Sequence, residues 1–158
     1  MSVRLVIPIV TLSAFWLMLG IAAAFEQHGF HSGMTLAEAT ASTQESLVPM
    51  PGSSGNYTVG EGASTKATIG FCKGRLFAVN ENIAGEVDAF AGRTAKNNAQ
   101  FGLPIVAAVS DYTNNGLISY VRLTWQTAPG EDHTISISRY QGTTWASVGS
   151  SAFMALCK

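Results

Sequence analysis

An uncharged apolar run near the N-terminus is the feature that most constrains how this chain folds. The run extends from Leu5 to Ala24, with Arg4 before it and Glu26 after it. A helix of this length is sufficient to cross a hydrocarbon core of about 30 Å. Because basic residues tend to stay on the cytoplasmic side of a membrane, we expect the residues after Ala24 to be exported. The sequence therefore predicts a periplasmic or extracellular working domain.

Two properties of the same run favour opposite fates for it. Ala22, Ala23 and Ala24 offer the small residues that signal peptidase requires, which favours cleavage of residues 1–24 as a signal peptide. The apolar run is longer than the roughly 7 to 15 residues of a usual signal core, which favours retention as a single transmembrane anchor. A buried helix of a soluble protein is the weakest alternative, because the run is apolar on all sides. Signal peptide and anchor both stay open.

Residues 25–66 have the composition of a tether. They are rich in Gly, Ser, Thr and Pro, and such segments rarely bury enough apolar surface to become ordered. One short helix is possible, because Thr35 and Glu38 have the spacing of a capping box. We therefore expect a flexible tether with at most one helical turn or two.

Residues 67–158 carry the patterns of a folded α+β domain. The segment ATIGFCKGRLFAV predicts one strand, or two strands broken near Lys73. A helix is predicted to follow, with Asn80 or Asn82 at its start and Gly102 at its end. The remaining segments read as strands joined by turns at 113–116, 129–130 and 141–142. This order predicts one main helix packed on a small antiparallel sheet of about four to five strands. The expected core residues are Val87, Phe90, Leu123, Trp125, Ile135, Ile137 and Trp145.

The two cysteines of the sequence are predicted to form a disulfide. Cys72 lies near the start of the folded region and Cys157 near its end, and an even pair in an exported chain favours a bridge. Two separate buried thiols, or one functional thiol, are the alternatives. A functional thiol needs an electropositive setting, and Lys73 and Lys158 are merely sequence neighbours of the two cysteines.

Composition and motifs exclude or weaken several functional classes. The formal net charge is −1, which leaves no basic surface of the kind that binds nucleic acid. No sequence motif for phosphate, dinucleotide or metal binding is found, and no cofactor is expected. His28 and His31 have a spacing that could hold a metal on a helix, but Gly29 disfavours the helix, so we interpret them as a polar flank. His133, with Glu131 and Asp132, could supply a general base, but a solvated turn is the simpler interpretation.

A second group of residues is a candidate binding surface. Arg and Tyr are enriched where proteins recognise one another, and both types occur on the predicted strands. The candidates are Arg122, Arg139, Tyr112, Tyr120 and Tyr140. A cross-strand ion pair on the solvent face is the structural alternative for the two arginines.

Three functions remain open from the sequence. The favoured one is an exported binding or inhibitor-type module that acts by contact with a protein or a small ligand. The second is a subunit of a cell-envelope assembly, anchored by Leu5–Ala24. The third is a small hydrolase that uses His133.

Overall fold

The fold is built on an eight-stranded antiparallel sheet. One face of this sheet is covered by the N-terminal segment with its short helix and, separately, by one long helix. The structure, a computed structural model, describes residues 25–113, 116–152 and 157. The strands follow one another across the sheet in the order β3-β4-β5-β6-β10-β9-β8-β7, and β1 and β2 form a separate hairpin. The elements in chain order are β1 (Glu26–Gln27), β2 (Phe30–His31), α1 (Leu36–Ala41), β3 (Leu47–Pro49), β4 (Asn56–Val59), a 3-10 turn (Gly62–Ser64), β5 (Ala67–Cys72), β6 (Arg75–Ile83), α2 (Glu86–Phe101), β7 (Ile105–Thr113), β8 (Gly116–Ala128), β9 (Glu131–Tyr140) and β10 (Thr143–Ala152).

Tight turns separate the strands where the sequence predicted them. Lys73 and Gly74 both have positive φ and join β5 to β6, so the first apolar segment forms two strands. Gln141 and Gly142 also have positive φ, which suits a two-residue hairpin turn between β9 and β10. Strands β7 and β8 pair up to Thr113 and Gly116. Within β3–β6 and within β7–β10, each successive strand is antiparallel to the one before it, and α2 carries the chain from β6 to the far edge at β7.

Helix α2 covers β8, β9 and β10, and its C-terminal end matches the prediction. Gly102 follows the last helical residue, its N–H bonds Asn98 O, and the Trp125 indole donates to its carbonyl oxygen at 3.0 Å. The predicted start is wrong. Asn80 and Asn82 lie in β6, and the helix begins at Glu86, because β6 extends to Ile83 and pairs with β10 as far as this residue.

The core beneath α2 contains most of the residues that periodicity selected. Leu123, Trp125 and Ile135 are buried, and Phe90 and Ile137 are half-buried. Val87 is 59% exposed, because it lies in the first turn of the helix and points away from the sheet. A second exception is Trp145, which lies opposite Ser138 on the other face of the sheet and is half-buried there.

Residues 25–66 depart from the tether that composition predicted. Phe25, Phe30 and Met34 are buried in a second core against β5 and β6, with exposed fractions of 7% or less. Backbone bonds tie this segment down, with Gly33 N–H donating to Leu76 O and Leu76 N–H donating to Met34 O. A few large apolar side chains therefore order a segment that is otherwise rich in Gly and Ser, because the sheet supplies the surface that they lack locally.

The α+β class is confirmed, but the sheet has eight strands where about four to five were expected. The residues predicted to form the tether contribute β3 and β4. Strand β4 pairs with β5 through four cross-strand partners that begin at Asn56 and Gly70, and β3 pairs with β4. The same segment contains the predicted capping box. The Thr35 side chain accepts from Glu38 N–H, and the Glu38 carboxylate accepts from Thr35 N–H at 2.7 Å. The Thr35 backbone N–H and the Thr35 hydroxyl both donate to the Glu38 carboxylate, and they lower the pKa of Glu38 below its usual value.

The predicted disulfide is confirmed. Cys72 at the end of β5 is bonded to Cys157, with the two Cα atoms 5.6 Å apart. Disulfides persist in oxidising compartments, so the bridge indicates a location outside the cytoplasm. Leu5–Ala24 lies outside the described residues. Across the part of the chain that is described, no helix combines the length and apolar character needed to span a membrane.

Candidate functional site

The face of the sheet opposite α2 carries two adjacent rows of polar side chains. In one row, cross-strand pairing aligns Thr68, Asn80, Gly149 and Thr134. In the next row it aligns Ser147, Ser136 and Arg122. These residues line a concavity of about 450 Å³, which we call the polar groove. Helices α1 and α2 pack on the other face of the sheet, so the polar groove is open to solvent in the described part of the chain.

A glycine forms part of the floor of the polar groove. A Cβ atom at Gly149 would lie 2.1 Å from Asn80 Oδ1 and 3.0 Å from Thr134 Oγ1. The Asn80 side chain therefore lies across the sheet above Gly149. Next to it, the Ser136 and Ser147 hydroxyls are hydrogen bonded to each other at 2.8 Å. The floor thus presents amide and hydroxyl groups that both donate and accept hydrogen bonds.

Arg122 provides the charge at one side of the groove. Among the described residues that line the groove, it is the single charged one, and its side chain is exposed. Its Cζ atom lies 5.3 Å from the centroid of the Tyr120 ring, which is within the range of a cation–π contact. Its cross-strand neighbours are Ala107 and Ser136, so no carboxylate stands directly opposite it within the described register. The guanidinium thus lies over the aromatic ring on an exposed part of the surface.

Aromatic residues extend this face beyond Arg122. Tyr120, Ser138 and Trp145 occupy one cross-strand row, and Tyr140 follows two residues after Ser138 on the same face. Tyr120, Trp145 and Tyr140 are half-buried. Three of the five residues proposed from the sequence, Arg122, Tyr120 and Tyr140, therefore lie on the open face of the sheet.

The other two proposed residues do not belong to this face. Arg139 pairs with Ser119 and Thr144, so the alternation of the strand places it on the face that carries α2. Tyr112 is placed by its backbone alone, opposite Leu117, because its side chain is outside the described ones. One surface that contains both arginines is thus incompatible with the strand register, since Arg122 and Arg139 lie on opposite faces.

A second polar region lies on the face of the sheet that carries the helices, between the N-terminal segment and α2. Around a cleft of about 630 Å³ lie acidic, basic and aromatic side chains, among them Phe25, Glu81, Arg93, Glu131 and His133. The sequence predicted Glu131–Asp132–His133 as a solvated turn, and this is wrong. The three residues begin β9, because they pair with β8 and β10, and the alternation of the strand sends Glu131 and His133 to the cleft and Asp132 to the other face.

His133 is held by contacts that suit a neutral imidazole. Its ring lies 6.5 Å from the Trp125 ring and 6.1 Å from the Phe101 ring, and Nδ1 is 3.1 Å from Ser150 Oγ. Burial lowers the pKa of His133, and the positive charge of Arg93 lowers it further. Ser150 is only 8% exposed, which leaves its hydroxyl little access to a substrate. The hydrogen bond between His133 and Ser150 therefore fits a structural role better than the role of a catalytic base that activates a serine nucleophile.

Acidification is expected to destabilise the protein through His133. The imidazole has a lower pKa when folded than the value of about 6.5 that it has in an unfolded chain, so the unfolded state takes up the proton first. The stabilisation is complete above about pH 6.5 and is lost as the pH falls towards the folded pKa. Urea denaturation from about pH 8 to about pH 5 should show a larger loss in the wild type than in His133→Gln. Equal losses in the two proteins would contradict this assignment.

The histidine pair near the N-terminal end of the described chain is not gathered into one site. His28 Nε2 lies 2.6 Å from Glu81 Oε2, while His31 Nδ1 lies 3.1 Å from the Ser32 carbonyl oxygen. Gly29 and His28 both have positive φ, because they form the turn between β1 and β2. Among the described residues, no group of three or more His, Cys, Asp or Glu side chains is arranged to hold a metal ion.

Comparison of the chain with protein-family models, with curated proteins and with solved structures finds no match. The site is thus defined by its own geometry. The sequence reasoning missed Asn80, Ser147 and Gly149. The alternation of Ser and Ile in TISIS was the available signal, because it places Ser136 on a solvent face, but the strands that pair with this one were not identifiable from it.

Proposed function

We propose that the protein is an exported binding module whose ligand occupies the polar groove. The observation that carries this proposal is Arg122 stacked on Tyr120 at the side of a concave, otherwise uncharged row of hydrogen-bonding side chains. A guanidinium with its donors available and a floor of hydroxyl and amide groups suit a polar ligand that carries several acceptors. The nearby Tyr140 and Trp145 add flat apolar surface against which a ligand or a partner protein packs.

The disulfide and the apolar run Leu5–Ala24 support the exported location in this proposal. Signal cleavage gives a soluble periplasmic or extracellular module. Retention of the run gives a membrane-anchored subunit of a cell-envelope assembly, with the same groove facing away from the cytoplasm. N-terminal sequencing of the exported protein distinguishes the two versions, since a chain that starts at Phe25 has lost the anchor.

Arg122→Ala is expected to weaken ligand binding by about tenfold to a hundredfold, because a hydrogen bond from a charged group contributes about 1.5–3 kcal/mol. The matched control is Arg139→Ala, which removes the same side chain from the opposite face of the sheet. Isotope-labelled protein is titrated with neutral oligosaccharides and with short acidic peptides, and amide shifts are recorded by NMR.

In these titrations, shifts that cluster at Asn80, Ser136 and Ser147 support the proposal. Shifts that avoid the polar groove, or an equal loss of affinity in Arg139→Ala, would exclude the groove as the ligand site.

A further inference from the structure

The two edges of the eight-stranded sheet differ in how well they are protected from pairing with another chain. One edge is β3, a strand of three residues that ends with Pro49 and is followed by Pro51. The other edge is β7, which runs for nine residues from Ile105 to Thr113. Natural sheets protect their edges with short strands, prolines, bulges and charged side chains. The β3 edge has two of these features along its whole length, whereas the nine residues of β7 contain neither proline nor lysine, and Pro104 stands only before the first of them.

Strand β7 also presents an apolar and regular surface. Ile105 is 72% exposed and Val106 is 62% exposed, and every residue from 105 to 110 is classed as exposed. Leu103, just before the strand, is 91% exposed. The pairing with β8 runs in continuous register from Ile105 opposite Thr124 to Thr113 opposite Gly116. Such a long edge, regular in register and apolar over its first five residues, is a template for one more strand.

We infer that β7 pairs antiparallel with β7 of a second copy of this chain, so that a two-fold axis joins two sheets into one. The side chains of Leu103, Ile105, Val106 and Val109 expose on the order of 500 Å² between them, against about 800 Å² that each partner buries in a standard interface. The exposed backbone edge of β7 and the exposed Ala107, Ala108 and Ser110 supply further area. These side chains alternate between the two faces of the sheet, so a β7–β7 contact buries part of their area and adds the backbone hydrogen bonds of the paired edges.

The sequence of β7 is compatible with pairing to itself. A two-fold axis at Ala107 places this residue opposite its own copy and overlaps the apolar half of each strand with the apolar half of its partner. Small residues, Ala107 and the neighbouring Ala108, then lie at and beside the axis. Asp111 is the single charged residue in the sequence of β7, and it lies away from the axis, so the two like charges are kept apart.

This arrangement has a consequence for the open face. Antiparallel pairing of identical strands requires an axis perpendicular to the sheet, so the polar grooves of both copies face the same side. Strands β8 of the two copies are then three strand spacings apart, or about 14 Å. Two Arg122 residues thus border one continuous surface. The dimer itself does not depend on whether the groove binds a ligand.

The test compares two valines of nearly equal exposure. Val106 on β7 is 62% exposed and Val87 on α2 is 59% exposed. The exported protein with its disulfide intact is expected to sediment as a dimer in analytical ultracentrifugation. Val106→Lys should weaken dimerisation at least about tenfold, because it places two lysines diagonally across the two-fold axis on one face of the joined sheet, while Val87→Lys should not change it.

A wild type that sediments as a monomer overturns the inference, whatever else the β7 edge then binds. A Val106→Lys variant that remains dimeric, or a Val87→Lys variant that dissociates equally, also overturns it. Far-ultraviolet circular dichroism and intact mass verify that each variant is folded and bridged. Ala107→Cys provides an independent measurement, since a residue next to the two-fold axis is expected to form a covalent dimer on oxidation and a monomer is not.

Discussion

Removal of the Cys72–Cys157 bridge is expected to lower the free energy of unfolding by up to about 4.6 kcal/mol. The bridge closes a loop with a sequence separation of 85 residues, and closing a loop of this length restricts the unfolded chain by about that amount. The loop contains α2 and all the strands from β6 to β10. Because small domains have a total stability of about 5–15 kcal/mol, we expect the bridge to separate a stable fold from a marginal one.

Urea denaturation of the Cys72→Ser, Cys157→Ser double variant measures this effect. Reduction of the wild type should shift its midpoint to that of the double variant, while the same reductant should leave the double variant unchanged. A loss below about 1 kcal/mol would mean that the reduced, unfolded chain retains enough structure to cancel the constraint. That outcome would remove the disulfide as the main support of the fold.

Phe30→Ala is expected to cost about 3–5 kcal/mol, which is the range for deletion of a buried aromatic side chain. Phe30 is 1% exposed and belongs to the core that the N-terminal segment forms with β5 and β6. Phe101→Ala is the matched control, because Phe101 is 37% exposed and its truncation leaves a smaller cavity. Both free energies of unfolding are measured by urea denaturation on the disulfide-bonded protein.

The comparison decides whether residues 25–66 belong to the folded domain in solution. A large loss in Phe30→Ala and a clearly smaller one in Phe101→Ala is the expected result. If Phe30→Ala costs less than about 1 kcal/mol, the N-terminal segment does not pack on the sheet, and it behaves as the tether that its composition suggests.

The predicted parts of the fold are those that depend on short-range signals. The Thr35–Glu38 capping box, the turn at Lys73–Gly74 and the end of α2 at Gly102 each follow from a few neighbouring residues. The burial of Trp125 and Ile135 follows from the period-two alternation of their own strands. In each case the physical cause lies within one element, so the sequence was sufficient.

The errors concern contacts between distant parts of the chain. Phe25, Phe30 and Met34 are too few and too widely spaced to produce a periodic signal, yet each finds a buried place on strands that begin about 40 residues later. For the same reason β3 and β4 were not anticipated, and the sheet was predicted too small. Composition measures the apolar surface of a segment, but not the apolar surface that another segment offers to it.

The residues of the candidate site were also predicted only in part. Arg122, Tyr120 and Tyr140 share the open face, whereas Arg139 lies on the opposite one. Alternation within one strand predicts which residues of that strand share a face. The register between two strands decides which residues of the second strand lie on the same face of the sheet. His133 shows the same limit, because its cleft is built from Arg93, Phe101 and the β1–β2 hairpin together.

The sequence by itself therefore predicted the disulfide, the α+β class and most of the turns, because these depend on local geometry and on the presence of a single pair of cysteines. The tertiary structure alone decided that residues 25–66 complete the sheet, that the polar groove forms around Gly149, and that β7 is left as an unprotected edge. These three features arise from strand order and register. Strand order and register are both set by the packing of segments that are far apart in the chain, so they cannot be predicted from any one segment alone.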